Sequence, residues 1–201
     1  MRKKEVFNVT FSAIMLSLSV VLELLFKFVI ILDMPNGGGL SIAMLPVIVA
    51  SIVCGWQYGL AAGIGYGLLN FLIDGYGFSL WSFIFDYILA YASVAIAAVF
   101  RKQILEGKKS YFALAVVCVF LLRWVANGLS GVINAEAWGY NAEFLAEMFG
   151  DGKTGMGYLF LYSFVVYNYP YLSMSCVFCI VVGILAYKVL FQKFVREETE
   201  E

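Results

Sequence analysis

Three observations predict an all-α membrane protein: a bundle of six transmembrane helices with both termini cytoplasmic. The first is composition. Of 201 residues, 63% are hydrophobic and only 13% are charged, with a mean hydropathy of +0.89. Soluble domains are roughly half apolar and about a quarter charged. The second is the recurrence of apolar runs near bilayer length. The third is the clustering of Lys and Arg on alternate connections between those runs. The net charge of −1 gives no general basic field and so no case for nucleic acid. Histidine is absent, which removes the commonest metal ligand and the usual near-neutral general base.

A bilayer-crossing helix needs about 20 mostly apolar residues. The runs place helices at roughly 6–32, 40–55, 57–73, 80–100, 110–133 and 157–191. The second and third are short and separated only by "GWQ", which reads as a tight hairpin or as one tilted or re-entrant segment. The first run is too long for a signal peptide and no small-residue cleavage site comes after it, so it is expected to remain in the mature chain. Residues 1–192 are thus expected to form one membrane domain, and 193–201, ending "REETEE", a charged cytoplasmic tail.

Orientation follows from the basic residues. Arg2, Lys3 and Lys4 precede the first helix; Arg101, Lys102, Lys108 and Lys109 lie between the fourth and fifth; Lys188, Lys193 and Arg196 close the sixth. With six spans these three groups share one side, which the positive-inside rule makes cytoplasmic. The other side carries Asp33, Asp74, Glu136, Glu143, Glu147 and Asp151 against one Lys153. An acidic outer face favours a cationic or neutral solute over an anion; the same charges also read as ordinary solvated loops. The longest connection, 134–156, places Phe144, Leu145, Met148 and Phe149 at helical spacing, with Glu143 and Glu147 on another face. It predicts a short amphipathic helix over the outer mouth, as a lid or as an interfacial anchor. The glycine-rich "GDGKTGMG" after it reads as a hinge.

Gly55, Gly59, Gly63 and Gly67 recur every fourth residue and make a helix stripe that lets a neighbouring backbone approach closely, here expected within one subunit. Ala13 and Ser17 make a smaller face of the same kind on the first helix, with Ser12 and Ser19 nearby. Cys54, Cys118, Cys176 and Cys179 all lie in apolar runs and read as buried thiols; no metal site is expected.

Polar groups inside apolar runs are few. Glu23 and Lys27, spaced i, i+4 with the acid first, can pair on one helix face, and Lys27 can snorkel to the interface. Asp86, in "SFIFDYILAYA", has no such partner in its own helix. An isolated acid in hydrocarbon costs at least ~2.5 kcal/mol on insertion scales, so it faces a protein interior or a cavity. It is either paired with Arg123 as structural glue or waiting for a cation. Trp81, Phe85, Tyr87 and Tyr91 surround it in sequence, and "VVYNYPYLS" adds Tyr167, Asn168, Tyr169 and Tyr171 around the helix-breaking Pro170. A carboxylate among aromatic faces suits a flat aromatic cation through charge, cation–π attraction and stacking. Asn168 suits an aminopyrimidine-like edge.

The stretches "MPNGGGLSIAMLPVIVASIVCGWQYGLAAGIGYGLLNFL", "FDYILAY", "RWVANGLSG" and "YNYPYLS" give the chain, over nearly its whole length, a resemblance to the thiamine-specific substrate-binding components of energy-coupling factor (ECF) vitamin importers. The resemblance implies a six-helix bundle in the bacterial plasma membrane that binds vitamin near its outer face and has no ATPase of its own. It implies docking through the first helix onto a transmembrane coupling protein that carries two ATP-binding cassette subunits, with Ala13 and Ser17 at the docking motif. The family's acid–Tyr pair falls on Asp86 and Tyr87, although the acid is more often Glu, and its aromatic–Asn element falls on Tyr167 and Asn168. Asn127 stands where the family usually has His. The family's pocket Trp, some residues further on, aligns near Ala135, with Trp138 close by. No cofactor is implied.

Other classes are less well served. A membrane enzyme needs a nucleophile with a base, or a metal cluster, and a channel a polar stripe or ring; none is visible in the sequence. The GKT of "GDGKTG" is not a P-loop, because Glu147 stands where the first glycine is required. Within the capture class, a thiamine pyrimidine precursor or another vitamin is the alternative ligand.

Overall fold

In a computed structural model of the chain the described residues are 3–30, 34, 37–74, 79–191 and 194. Asp33 and, apart from Phe194, the expected tail lie outside them, as does the side chain of Asp74. The main helices among the described residues are α1 Lys3–Val29, α2 Met44–Cys54, α3 Trp56–Asp74, α4 Leu80–Leu105, α5 Lys109–Ile133, α6 Ala142–Phe149 and α7 Met156–Leu185. No strand occurs among the described residues. α1, α4, α5 and α7 are each long and apolar enough to cross a membrane.

Every residue of α2 is buried, and α1, α3 and α4 pack around it. α2 begins four residues later than the sequence suggests. Ser41 is held outside the helix: its N–H donates to Ser175 Oγ at 3.1 Å and its hydroxyl donates to Glu23 at 2.9 Å. α4 runs five residues past its expected end, and α7 stops at Leu185 before a turn and a further helical stretch to Phe191.

Of the expected glycine stripe, Gly59, Gly63 and Gly67 pack inside the subunit, whereas Gly55 caps α2 with a φ of 95° and nothing lies within 4 Å of where its Cβ would be. A Cβ on Gly59 would lie 2.4 Å from the Ser51 Cβ, and on Gly63 and Gly67 it would lie 2.4 and 2.0 Å from the Tyr91 and Tyr87 carbonyl oxygens. Helix α3 therefore lies against the Ser51 side chain of α2 and against the backbone of α4, a closeness only a missing side chain permits.

The bundle has two unlike ends. At the closed end, Phe7 and Phe11 of α1 meet Phe194, Tyr187 donates to the Ile104 carbonyl, and Phe112 packs on Phe191. Lys109 sits 5.8 Å over the Tyr187 ring at this end. At the mouth end, the connection from α5 folds over the bundle. Asn141 caps α6 by accepting the Phe144 N–H at 2.9 Å, and Leu145 of α6 is buried with Tyr140, Leu159 and Tyr162. The expected amphipathic helix is present, with Glu143, Glu147 and Met148 exposed. Gly150 and Gly152 turn the chain back with φ of 102° and 78°, angles that glycine adopts without strain.

Candidate functional site: a cavity at the mouth end

One cavity opens at the mouth end, with about 930 Å³ of empty space when its open mouth is counted. All six residues expected to touch a ligand line it: Asp86, Tyr87, Asn127, Trp138, Tyr167 and Asn168. They come from α4, α5, the connection after α5, and α7.

Two of those helices change pitch where they reach the cavity. Phe83–Leu89 of α4 and Leu161–Asn168 of α7 are π-helical. A π-helical turn carries an extra residue and so rotates the next part of the helix about its axis; such turns gather at functional sites. The α7 stretch ends just before Pro170. A proline lacks the N–H that a regular turn would need there, so wider hydrogen bonding on its N-terminal side accommodates it.

Asp86 is held by hydroxyls and not by a cation. Its Oδ2 accepts from Ser82 Oγ at 2.8 Å and from Ser130 Oγ at 2.5 Å. Its Oδ1 makes no hydrogen bond among the described residues and is not sealed from the cavity. Ser130 is itself braced by Asn134 Nδ2 at 3.3 Å, and Ser79, which caps α4, donates to Asn134 Oδ1. The structural pairing with Arg123 does not form. Arg123 instead donates to Met44 Sδ at 2.7 Å and to Tyr91 OH at 3.3 Å, and lies 4.8 Å over the Tyr91 ring.

Nor do Glu23 and Lys27 simply pair along α1. Glu23 Oε2 accepts from Ser41 Oγ at 2.9 Å and Tyr66 OH at 2.8 Å, while Lys27 donates to the Ile73 carbonyl at 3.0 Å. Both line the cavity.

The amides divide their work differently from expectation. Asn168 Nδ2 donates to the Ser163 carbonyl at 2.9 Å and its Oδ1 accepts from Tyr171 at 2.7 Å. These bonds brace α7 and leave one amide N–H and one lone pair of Asn168, which lines the cavity. Asn127 donates to Tyr171 at 3.1 Å, so Asn127, Tyr171 and Asn168 form one chain of hydrogen bonds. Tyr167 donates to the Gly37 carbonyl at 2.9 Å and ties the connection between α1 and α2 to α7. Trp138 lines the cavity and Ala135 does not, so the aromatic wall comes from the later position.

The sequence reading missed Ser82, Ser130 and Tyr140. Ser82 was findable, since it lies i−4 from Asp86 on one helix face. Ser130 and Tyr140 arrive from another helix and a connection, and no local spacing announces them. Ala13 and Ser17 both lie on the exposed side of α1, with Ser17 Oγ donating to the Ala13 carbonyl at 2.9 Å; Ser12 and Ser19 face inward and are buried.

Residues 9–195 match the family model described as thiamine transporter protein. The chain is 29% identical over 179 residues to thiamine transporter ThiT of Bacillus subtilis (strain 168), covering 85% of this chain and 84% of that protein. It also resembles a solved structure of ThiT from Listeria monocytogenes at a TM-score of 0.66 and 24% identity, covering 94% of this chain and 95% of that one, a likeness of fold. Its long apolar helices and transporter relatives make it a multi-pass protein of the cell membrane, and the match over nearly its whole length places the chain in the thiamine transporter protein family.

Proposed function

We propose that this chain is the substrate-capturing subunit of an ECF-type vitamin importer, which binds thiamine in the mouth-end cavity and passes it to an ATP-driven coupling module. The observation that carries the reading is Asp86: a carboxylate with one oxygen fixed and the other open to a cavity walled by Tyr87, Trp138 and Tyr167. Thiamine carries a permanently cationic aromatic ring. The carboxylate supplies its counter-charge out of bulk water, where the attraction is least screened, and the tyrosine and tryptophan faces add cation–π attraction. Asn127 and Asn168 complete the proposed contact set.

Capture needs no covalent step. The chain's part is to desolvate the cation, hold it, and release it when the bundle docks. Docking is assigned to the exposed face of α1 around Ala13 and Ser17, where small side chains allow close helix approach. The partners are a transmembrane coupling protein and two ATP-binding cassette subunits. Six crossings with cytoplasmic termini fit the described basic residues Lys3, Lys4, Arg101, Lys102, Lys108, Lys109 and Lys188, which lie toward the closed end.

The test is mass spectrometry of small molecules that co-purify with the protein, and then calorimetric titration. Thiamine is expected to co-purify and to bind the emptied protein. Recovery of a different heteroaromatic that thiamine cannot displace would replace this ligand by that one.

A further inference from the structure

We infer that Glu23 is a second ligand-reading carboxylate in the same cavity, one that accepts a hydrogen bond from a neutral amino group on the ligand's second ring. The inference rests on the thiamine reading and adds a recognition residue to it.

Glu23 and Asp86 are built alike. In each, one carboxylate oxygen takes two hydroxyl donors: Ser41 and Tyr66 on Glu23 Oε2, Ser82 and Ser130 on Asp86 Oδ2. In each, the other oxygen makes no hydrogen bond among the described residues and is not sealed from the cavity. A carboxylate kept only to stabilise the bundle would be expected to use both oxygens, because a buried lone pair left unmatched is costly.

Their electrostatic settings differ. The charged side chains lining the cavity are Glu23, Lys27, Asp86 and Arg123. Tyr66 and Tyr91, in edge contact at 4.8 Å, bridge Glu23 to Arg123, since Tyr66 donates to Glu23 and Arg123 donates to Tyr91. Lys27 is one turn from Glu23 on α1. Glu23 is thus linked to Arg123 through two tyrosines and has Lys27 one turn away, whereas Asp86 takes its hydrogen bonds from the hydroxyls of Ser82 and Ser130. The cationic ring belongs at Asp86, which no Lys or Arg hydrogen-bonds and which keeps one oxygen open to the cavity. Glu23 is suited to a neutral N–H donor, which gains from an ionised acceptor without adding charge. Thiamine offers one such donor, the exocyclic amine of its pyrimidine.

The experiment is a square of two proteins and two ligands: wild type and Glu23→Gln, titrated by calorimetry with thiamine and with its 4-oxo analogue, in which a carbonyl replaces the amine and the cationic ring is kept. Wild type is expected to prefer thiamine, and Glu23→Gln to reduce that preference roughly 10- to 100-fold, the worth of a hydrogen bond to a charged group. Glu23→Asp, which keeps the charge but withdraws the free oxygen by one methylene, is expected to reduce it in the same direction, so that a poorly folding Gln variant leaves the test intact. Asp86→Asn is expected to weaken both ligands alike and leave the preference unchanged. Equal losses of the two ligands in both Glu23 variants overturn the inference while the thiamine reading stands; a wild-type protein that binds neither ligand overturns both.

Discussion

The closed half and the mouth half of this bundle are made from the same helices under opposite rules. Toward the closed end, α2 is buried on every side, Phe112 and Phe191 are fully enclosed, and Gly183 has a ring atom of Phe112 2.3 Å from where its Cβ would be. Contact there is close and apolar, and small residues set the distance between helices. Toward the mouth, α1, α4 and α7 each widen into a π-helical stretch, and hydroxyls, amides and four charged side chains replace methyl groups. The difference teaches that a closely packed half lets the other half carry an open, polar-lined cavity. A cavity of open hydrogen-bonding groups holds its shape only when something else fixes the helices.

Substitutions should therefore separate by half. The largest effect is expected from Gly59→Val. Its side chain would enter the space of Ser51, with backbone as well as side-chain atoms in the way, so α2 and α3 cannot close. Loss of the folded protein, read as aggregation on detergent size-exclusion chromatography, is the expected outcome; a monodisperse variant that binds thiamine normally would show that the closed half is softer than its contacts imply.

Asp86→Asn comes next. Shape is nearly kept and charge is removed, so thiamine affinity is expected to fall by roughly 30- to several-thousand-fold, the range for breaking a desolvated charge contact. A neutral isostere lacking the ring charge should lose far less. Equal losses for the two ligands would falsify charge recognition at Asp86.

Ser130→Ala should act in the same direction and more weakly. It removes one of two donors to Asp86 Oδ2 and leaves Ser82 in place, for roughly a tenfold loss of thiamine binding. Ser130→Thr, which keeps the hydroxyl, should recover most of it. Recovery by neither Thr nor a change of ligand would make Ser130 a packing residue.

The smallest effect on binding is expected from Ala13→Trp. The position is exposed on α1, away from the cavity, so ligand titration should be unchanged while uptake by cells stops. A parallel fall in both would place that face in the fold of the subunit and not in docking.

How much of this was legible in the sequence depends on the range of each interaction. Helix positions were readable because apolar runs are local, and the glycine stripe because its period is that of one helix. Asp86 stood out through its own surroundings. Its clamp did not, since Ser130 is 44 residues away and meets it only through the packing of α4 on α5. Glu23 was misread for the converse reason: Lys27, four residues on, offered a local partner, and the tertiary partners Ser41 and Tyr66 came from elsewhere. Asn168 lines the cavity, as its type suggested, but its second task, bracing α7 through Ser163 and Tyr171, rests on partners that its local sequence does not announce. Trp138 was three residues from the expected position. The turn after Asn134, with the Trp138 N–H on the Asn134 carbonyl at 3.1 Å, carries it back to the cavity.

The shortness of α2 has a consequence for how the protein is made. Eleven residues rise only about 16 Å, half of a hydrocarbon core of roughly 30 Å. Such a segment cannot be retained by lipid as a span in its own right, and in the finished bundle it meets protein on every side. Only Gly55 separates it from α3, so we expect the pair to enter the bilayer as one helical hairpin during synthesis. In a truncation series probed by alkaline extraction and protease protection, a chain ending at Gly55 should leave α2 accessible, and one carried through Asp74 should protect it. Protection of the shorter chain would mean that α2 inserts alone.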